Sequence, residues 1–316
     1  MKVVSPLANW IPYRLAYTEQ DWLVHWLYLG DKRMDDSFFD DTIRYCRSMQ
    51  KRVSRLESCS GTELLKANDM VALKPKAFVF HVSRCGSTLL SQAFAQSESC
   101  ISISEAPLLD EILRATEHDP NISNAQREEW FKGTLSWMGQ LRTGQESAYI
   151  IKLDSWHIHF YELLRGWFPE VPFFFLTRCP GEVLASHAKM RGIHMVPGMV
   201  NPSLLKIGEL PVFRGDFNAY GSDVLRHYYL ELRAIRMLDC KFNRFFDYSE
   251  GAREMLESFS EFTGIELETK MYERLKFHSK SVGLTFDEEP KVEDLSTEAC
   301  KEAYQEFINA TQLLWD

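Results

Sequence analysis

No stretch of this sequence approaches the roughly 20 apolar residues a membrane-spanning helix needs. Its first residues, MKVVSPLANWIPYRLAY, lack the continuous apolar core of a signal peptide. The seven cysteines (46, 59, 85, 100, 179, 240 and 300) form no C-x-x-C pair and no Cys/His cluster with zinc spacing. An odd, scattered set is what a reduced compartment tolerates, so we expect a soluble, cytoplasmic protein with no membrane partner. Positive charge is short as well. The formal net charge of -9 argues against nucleic acid as the partner, because such partners need a broad basic face. No internal repeat or low-complexity tract is present, and self-association is left open.

What is present is ample apolar material. Of 316 residues, 45% are hydrophobic and 13% aromatic, enough to bury a large α/β core. Residues 1–74 differ from the rest. They are aromatic-rich, and the spacing of Trp22, Trp26 and Leu29 predicts a helix over Glu19–Leu29, with a second over Ser37–Leu56. We read 1–74 as a helical annex and 75–316 as the main α/β domain.

In that domain short apolar runs alternate with helical patterns. Strands are predicted at Ala77–Val82, Cys100–Ser104, Ala148–Leu153, Val171–Thr177 and Arg244–Tyr248. Helices are predicted at Thr88–Ala95, from Pro107, and at Asn124–Leu141, His157–Trp167, Gly181–Met190 and Ala252–Thr263. Such alternation means a parallel sheet with helices on both faces, whose ligands sit beyond the carboxyl ends of the strands. Arg191–Gly215, rich in glycine and proline, reads as a long loop and a candidate gate over an acceptor pocket.

Three polar segments follow strands. The first is Ser83-Arg84-Cys85-Gly86-Ser87-Thr88-Leu89-Leu90. A strand, a turn of small residues and a helix start present backbone N–H groups to a phosphate. Gly86 permits close approach, Ser87 and Thr88 add hydroxyls, and Arg84 adds a charge. It is not a Walker A loop, since no lysine lies in it, nor a dinucleotide fingerprint, since only one glycine of that pattern is present. An ordinary N-capped turn is the plainer alternative. The second segment is Thr177-Arg178-Cys179-Pro180-Gly181 with Ser186 eight residues past Arg178, an arginine fork and a hydroxyl that can grip one phosphate. The third is Ile151-Lys152-Leu153-Asp154, a lysine ending an apolar strand. Glu105 ends another.

In this order the segments resemble the sulfotransferase superfamily, closest in style to its bacterial and tyrosyl-protein members. The resemblance spans about Lys76–Lys280. It implies a P-loop-like three-layer α/β/α fold and a donor, 3′-phosphoadenosine 5′-phosphosulfate (PAPS), leaving as 3′-phosphoadenosine 5′-phosphate (PAP), with no metal. It implies that Ser83, Arg84, Cys85, Gly86, Ser87, Thr88 and Leu89 hold the phosphosulfate, that Arg178 and Ser186 hold the 3′-phosphate, and that Lys280, in a late basic turn, reaches the donor phosphates. Arg84 and Lys152 would stabilise the departing phosphate. For the base that takes the acceptor's proton, Glu105 stands first, Asp154 second and His157 third; Asp154 occupies the place where small-molecule members carry histidine. The expectation is sulfuryl transfer to a hydroxyl or amine of a small molecule. A nucleotide-dependent kinase, or a non-catalytic nucleotide-binding module on the same fold, is the alternative.

Overall fold

The computed structural model describes residues 7–52, 58–67, 71–208, 215–277 and 294–310, with backbone alone at 51–52. Strands β1 (Trp10–Tyr17), β2 (Trp22–Tyr28) and β3 (Ser58–Gly61) flank helix α1 (Phe39–Arg52), and α2 (Glu63–Lys66) follows. Then come β4 (Ala77–His81), α3 (Ser87–Ala95), β5 (Cys100–Ser104), α4 (Pro107–Leu113), α5 (Asn124–Met138) and β6 (Ala148–Lys152). A 3₁₀ turn at Ser155–Phe160 leads into α6 (Tyr161–Trp167), β7 (Phe173–Thr177) and α7 (Pro180–Lys189). The chain ends with α8 (Phe217–Arg236), β8 (Asn243–Asp247), α9 (Ala252–Thr263), α10 (Thr269–Arg274) and α11 (Glu298–Asn309).

The main sheet has five strands in the order β5-β6-β4-β7-β8. The pairs β5/β6 and β7/β8 run parallel, in register from Cys100 opposite Ala148 and from Phe173 opposite Asn243. Strands β4 to β7 are buried at every position, as continuous apolar runs between helical layers should be, and only edge strand β8 is half-buried. This is the mixed α/β fold that the strand–helix alternation predicts. Among the described residues, no helix is long and apolar enough to cross a membrane.

The chain forms two compact units. The first takes the N-terminal residues through Phe78, Thr88–Leu153 and a segment from Ile265. Here one expectation is corrected. The run around Trp22 is not a helix but strand β2, paired antiparallel with β1 and β3. A spacing of four fits a helical turn and also two steps of a strand, so Trp22, Val24 and Trp26 share one strand face. The aromatic and β-branched content suits the strand. Trp26 packs on Trp137 of α5 with centroids 4.8 Å apart, and Trp22 on Trp130 at 5.4 Å. The predicted helix over Ser37–Leu56 is present as α1. Helix α5 buries Trp130, Leu135 and Met138, as its spacing implies.

The second unit comprises Val79–Ser87, Asp154–Gly264 and the C-terminal residues. Its core is aromatic. Phe175 stacks on Phe80 at 4.8 Å and on Phe245 at 4.7 Å. The Arg236 guanidinium of α8 covers Phe307 of α11 at 4.1 Å and donates to its carbonyl at 2.8 Å. The loop after α7 is more structured than its sequence suggests. It forms a 3₁₀ turn at Ile193–Met195 and buries Met195, Val200, Leu205 and Ile207; residues 209–214 lie outside the described set.

Candidate phosphate-binding site

Strand β4 ends in a left-handed turn. Ser83 and Arg84 have φ of 70° and 52°, and Gly86 has 83°. Two consecutive non-glycine residues in this region cost about 1–3 kcal/mol each, a cost that persists where the surroundings over-determine it. The neighbours here do so. The Ser83 N–H donates to His81 Nδ1 at 3.1 Å, and the Arg84 carbonyl accepts from Arg178 Nη1 at 3.1 Å. The Cys85 thiol is fully buried and donates to the Leu176 carbonyl at 3.4 Å, so it fills space beneath the turn. At Gly86 a Cβ would overlap the ring of Tyr248, which makes glycine obligatory for a second reason besides φ. The Arg84 side chain reaches sideways and donates to the Met190 carbonyl. Helix α3 then starts at Ser87, and its first turn carries no acidic residue to compete with an anion for the exposed N–H groups.

In the same unit, Arg178 follows β7. Its Nε pairs with Glu182 Oε2 at 2.6 Å, its guanidinium lies 5.3 Å from the Tyr248 ring, and its carbonyl accepts from Tyr229 Oη at 2.6 Å. Ser186 sits half-buried two turns into α7. Asp247, at the end of β8, accepts from Thr177 Oγ1 at 2.9 Å and Tyr304 Oη at 3.0 Å, which anchors the residue next to Tyr248.

The first unit holds the other residues. Ser104 of β5 is level with Lys152 of β6, so the strand ends coincide and Glu105 turns back over Lys152. The Glu105 N–H donates to the Lys152 carbonyl at 2.8 Å, with Glu105 at φ 54°. The Lys152 side chain has no solvent exposure. Its ammonium binds the Glu105 carboxylate, lies 3.3 Å from Thr88 Oγ1 and sits 5.3 Å from the Phe38 ring centroid. A buried ammonium is tolerated only when paired and hydrogen-bonded, and both conditions hold. Thr88 and Leu89 are buried in α3.

Asp154 opens the 3₁₀ turn at Ser155–Phe160. Its N–H donates to His157 Nδ1 at 3.3 Å, and its carboxylate lies 3.9 Å from His157 Nε2. Both are engaged in holding that turn. Lys280 lies outside the described residues.

The structure adds Tyr248, Glu182 and Tyr229 to the residues singled out from sequence. Glu182 was legible as an acid four residues after Arg178 on a helix. Tyr248 had no local signal, because its contacts are with segments far away in the chain.

No family model matches the chain, and no curated protein does. Solved structures do. The sulfotransferase domain from the curacin biosynthetic pathway is 16% identical, over 78% of this chain and 99% of that one, with a TM-score of 0.43. The sulfotransferase domain of the Synechococcus PCC 7002 olefin synthase is 14% identical, over 79% and 97%, with a TM-score of 0.42. A sulfotransferase from Alicyclobacillus acidocaldarius is 13% identical, over 77% and 96%, again with a TM-score of 0.42. At these identities no residue role is carried across.

Proposed function

We propose that this chain is a sulfotransferase that moves a sulfuryl group from PAPS to a hydroxyl or amine of a small molecule. The observation that carries the reading is Lys152: a fully buried ammonium touching Thr88 in the first turn after the phosphate-type loop, with a carboxylate on its other side. A fixed cation at that place suits a reaction that leaves negative charge on a departing phosphate.

In this reading the N–H groups and hydroxyls from Gly86 to Thr88 hold the 5′-phosphosulfate. Arg178 turns from Glu182 to the 3′-phosphate, with Ser186 as a second donor. Glu105 takes the proton from the acceptor. The acceptor oxygen or nitrogen bonds to sulfur while the bond from sulfur to the phosphate oxygen breaks, and PAP leaves with the electron pair. Lys152 and Arg84 stabilise that developing charge. Asp154 and His157 are left to hold their turn. Tyr248 supports the loop through Gly86 and Arg178.

The test is calorimetric titration with PAP, alongside adenosine diphosphate with magnesium. We expect PAP to bind and Arg178→Ala to weaken it. Preference for the diphosphate with magnesium would replace this reading by a kinase. Binding of PAP with no turnover of PAPS on any acceptor would favour a binding module.

A further inference from the structure

The segment Met190–Met199 places three large apolar side chains in solvent: Met190 at 60% exposure, Ile193 at 51% and Met199 at 61%. Fraying does not explain them, because the inner side of the same segment is anchored at successive residues. Arg191 donates to Asn218 Oδ1 of α8 at 3.0 Å and covers Phe217 at 5.0 Å. The Gly192 N–H donates to His187 Nδ1 at 3.2 Å. His194 is buried among rings, 5.3 Å from His187 and 5.9 Å from Trp156. Met195 is fully buried against Gly221, where a Cβ would already stand 3.2 Å from its sulfur.

An anchored backbone that holds apolar side chains outward is a surface awaiting an apolar contact. Its location narrows the occupant. The Arg84 side chain of the phosphate-type loop donates to the carbonyl of Met190, so the patch begins at the residue tied to that loop. Two of its three members are methionines, whose unbranched thioether chains adapt to a ligand of irregular outline.

Resting on the sulfuryl-transfer reading, we propose that Met190, Ile193 and Met199 form the acceptor-recognition surface, and that the acceptor is an apolar alcohol or amine rather than a polyol or sugar. Its hydrocarbon part packs on the three side chains and its hydroxyl or amine points toward the loop that holds the donor.

The experiment uses the full chain and has two stages. PAP is titrated first into the parent and into the triple variant Met190→Ser/Ile193→Ser/Met199→Ser. The substitutions are at exposed positions, so both should fold and bind PAP alike. Then 1-octanol, 2-naphthol, glycerol and glucose are each titrated into PAP-saturated protein and assayed as acceptors with PAPS. We expect the two apolar compounds to bind and react, the two polar ones not to, and the triple variant to lose about tenfold or more in affinity and kcat/KM for the former. Binding of PAP without binding of either apolar compound overturns the proposal while sparing the sulfuryl-transfer reading. So does an unchanged response of the triple variant. A change in particle mass on substitution, with acceptor binding intact, assigns the patch to self-association and also overturns it. Absence of PAP binding in the parent instead sinks the underlying reading.

Discussion

The ammonium of Lys152, fully buried at the end of β6, is held by the carboxylate of Glu105, the residue that follows the neighbouring strand β5. The pair forms because β5 and β6 run parallel and end level, so the residue leaving one strand returns over the last side chain of the other. Thr88 Oγ1 completes the contact at 3.3 Å.

Separating the two roles of this pair is straightforward. Glu105→Gln keeps an acceptor for Lys152 and should lower kcat about 10²–10⁴-fold, the usual loss of a general base, with little change in PAP affinity. Lys152→Met should lower kcat by about 10²–10³-fold and strand the Glu105 carboxylate, with lost stability as a second readout. Single-turnover kinetics and thermal melts on both variants check this. Unchanged kcat in Glu105→Gln would move the base elsewhere.

Arg178 is engaged by Glu182 at 2.6 Å, so an incoming phosphate must compete with that carboxylate. Glu182→Gln should therefore tighten PAP binding by a factor of about three to ten, the worth of an exposed ion pair and a repelling charge. Arg178→Ala should weaken it about 10–100-fold through loss of charge-assisted hydrogen bonds. Calorimetry with PAP and with 5′-AMP checks both, and only the 3′-phosphate should sense the two changes.

Gly86 is constrained twice, by its φ of 83° and by Tyr248. Gly86→Ala should cost about 1–3 kcal/mol and abolish donor binding. Adding Tyr248→Ala should relieve the collision but not the backbone strain, so the double variant should recover only part of the stability that the overlap removes. A double-mutant cycle in denaturant measures the coupling.

Glu111 of α4 accepts the Leu15 N–H at 2.5 Å, joining the helix to β1, and Arg14 Nε lies 3.6 Å away. Burial outweighs these partners and pushes its carboxyl up to about 7 from 4.5. A carboxyl with a raised folded pKa favours the folded state below the unfolded value, and that contribution is lost as pH rises through the folded one. Stability should thus fall between about pH 4.5 and 7, by roughly 3 kcal/mol from this group. Glu111→Gln should flatten that part of the curve. An equally steep curve in the variant would assign the slope to other groups.

Much of this protein was settled by local sequence. Strands Cys100–Ser104 and Ala148–Lys152 and helix Ala252–Thr263 lie within a residue of where their patterns put them, because continuous apolar runs and a 3.6-residue period admit one reading each. The turn after β4 and the arginine after β7 were likewise visible, since strand, small residues and helix start are contiguous in the chain. The N-terminal aromatic run was not, because a spacing of four satisfies both periods and only pairing with β1 and β3 decides for a strand. Nor was Tyr248 beneath Gly86, Glu105 on Lys152, or the outward face of Met190–Met199. Each depends on strand register or on packing between segments far apart in the chain, and local periodicity carries no information about either.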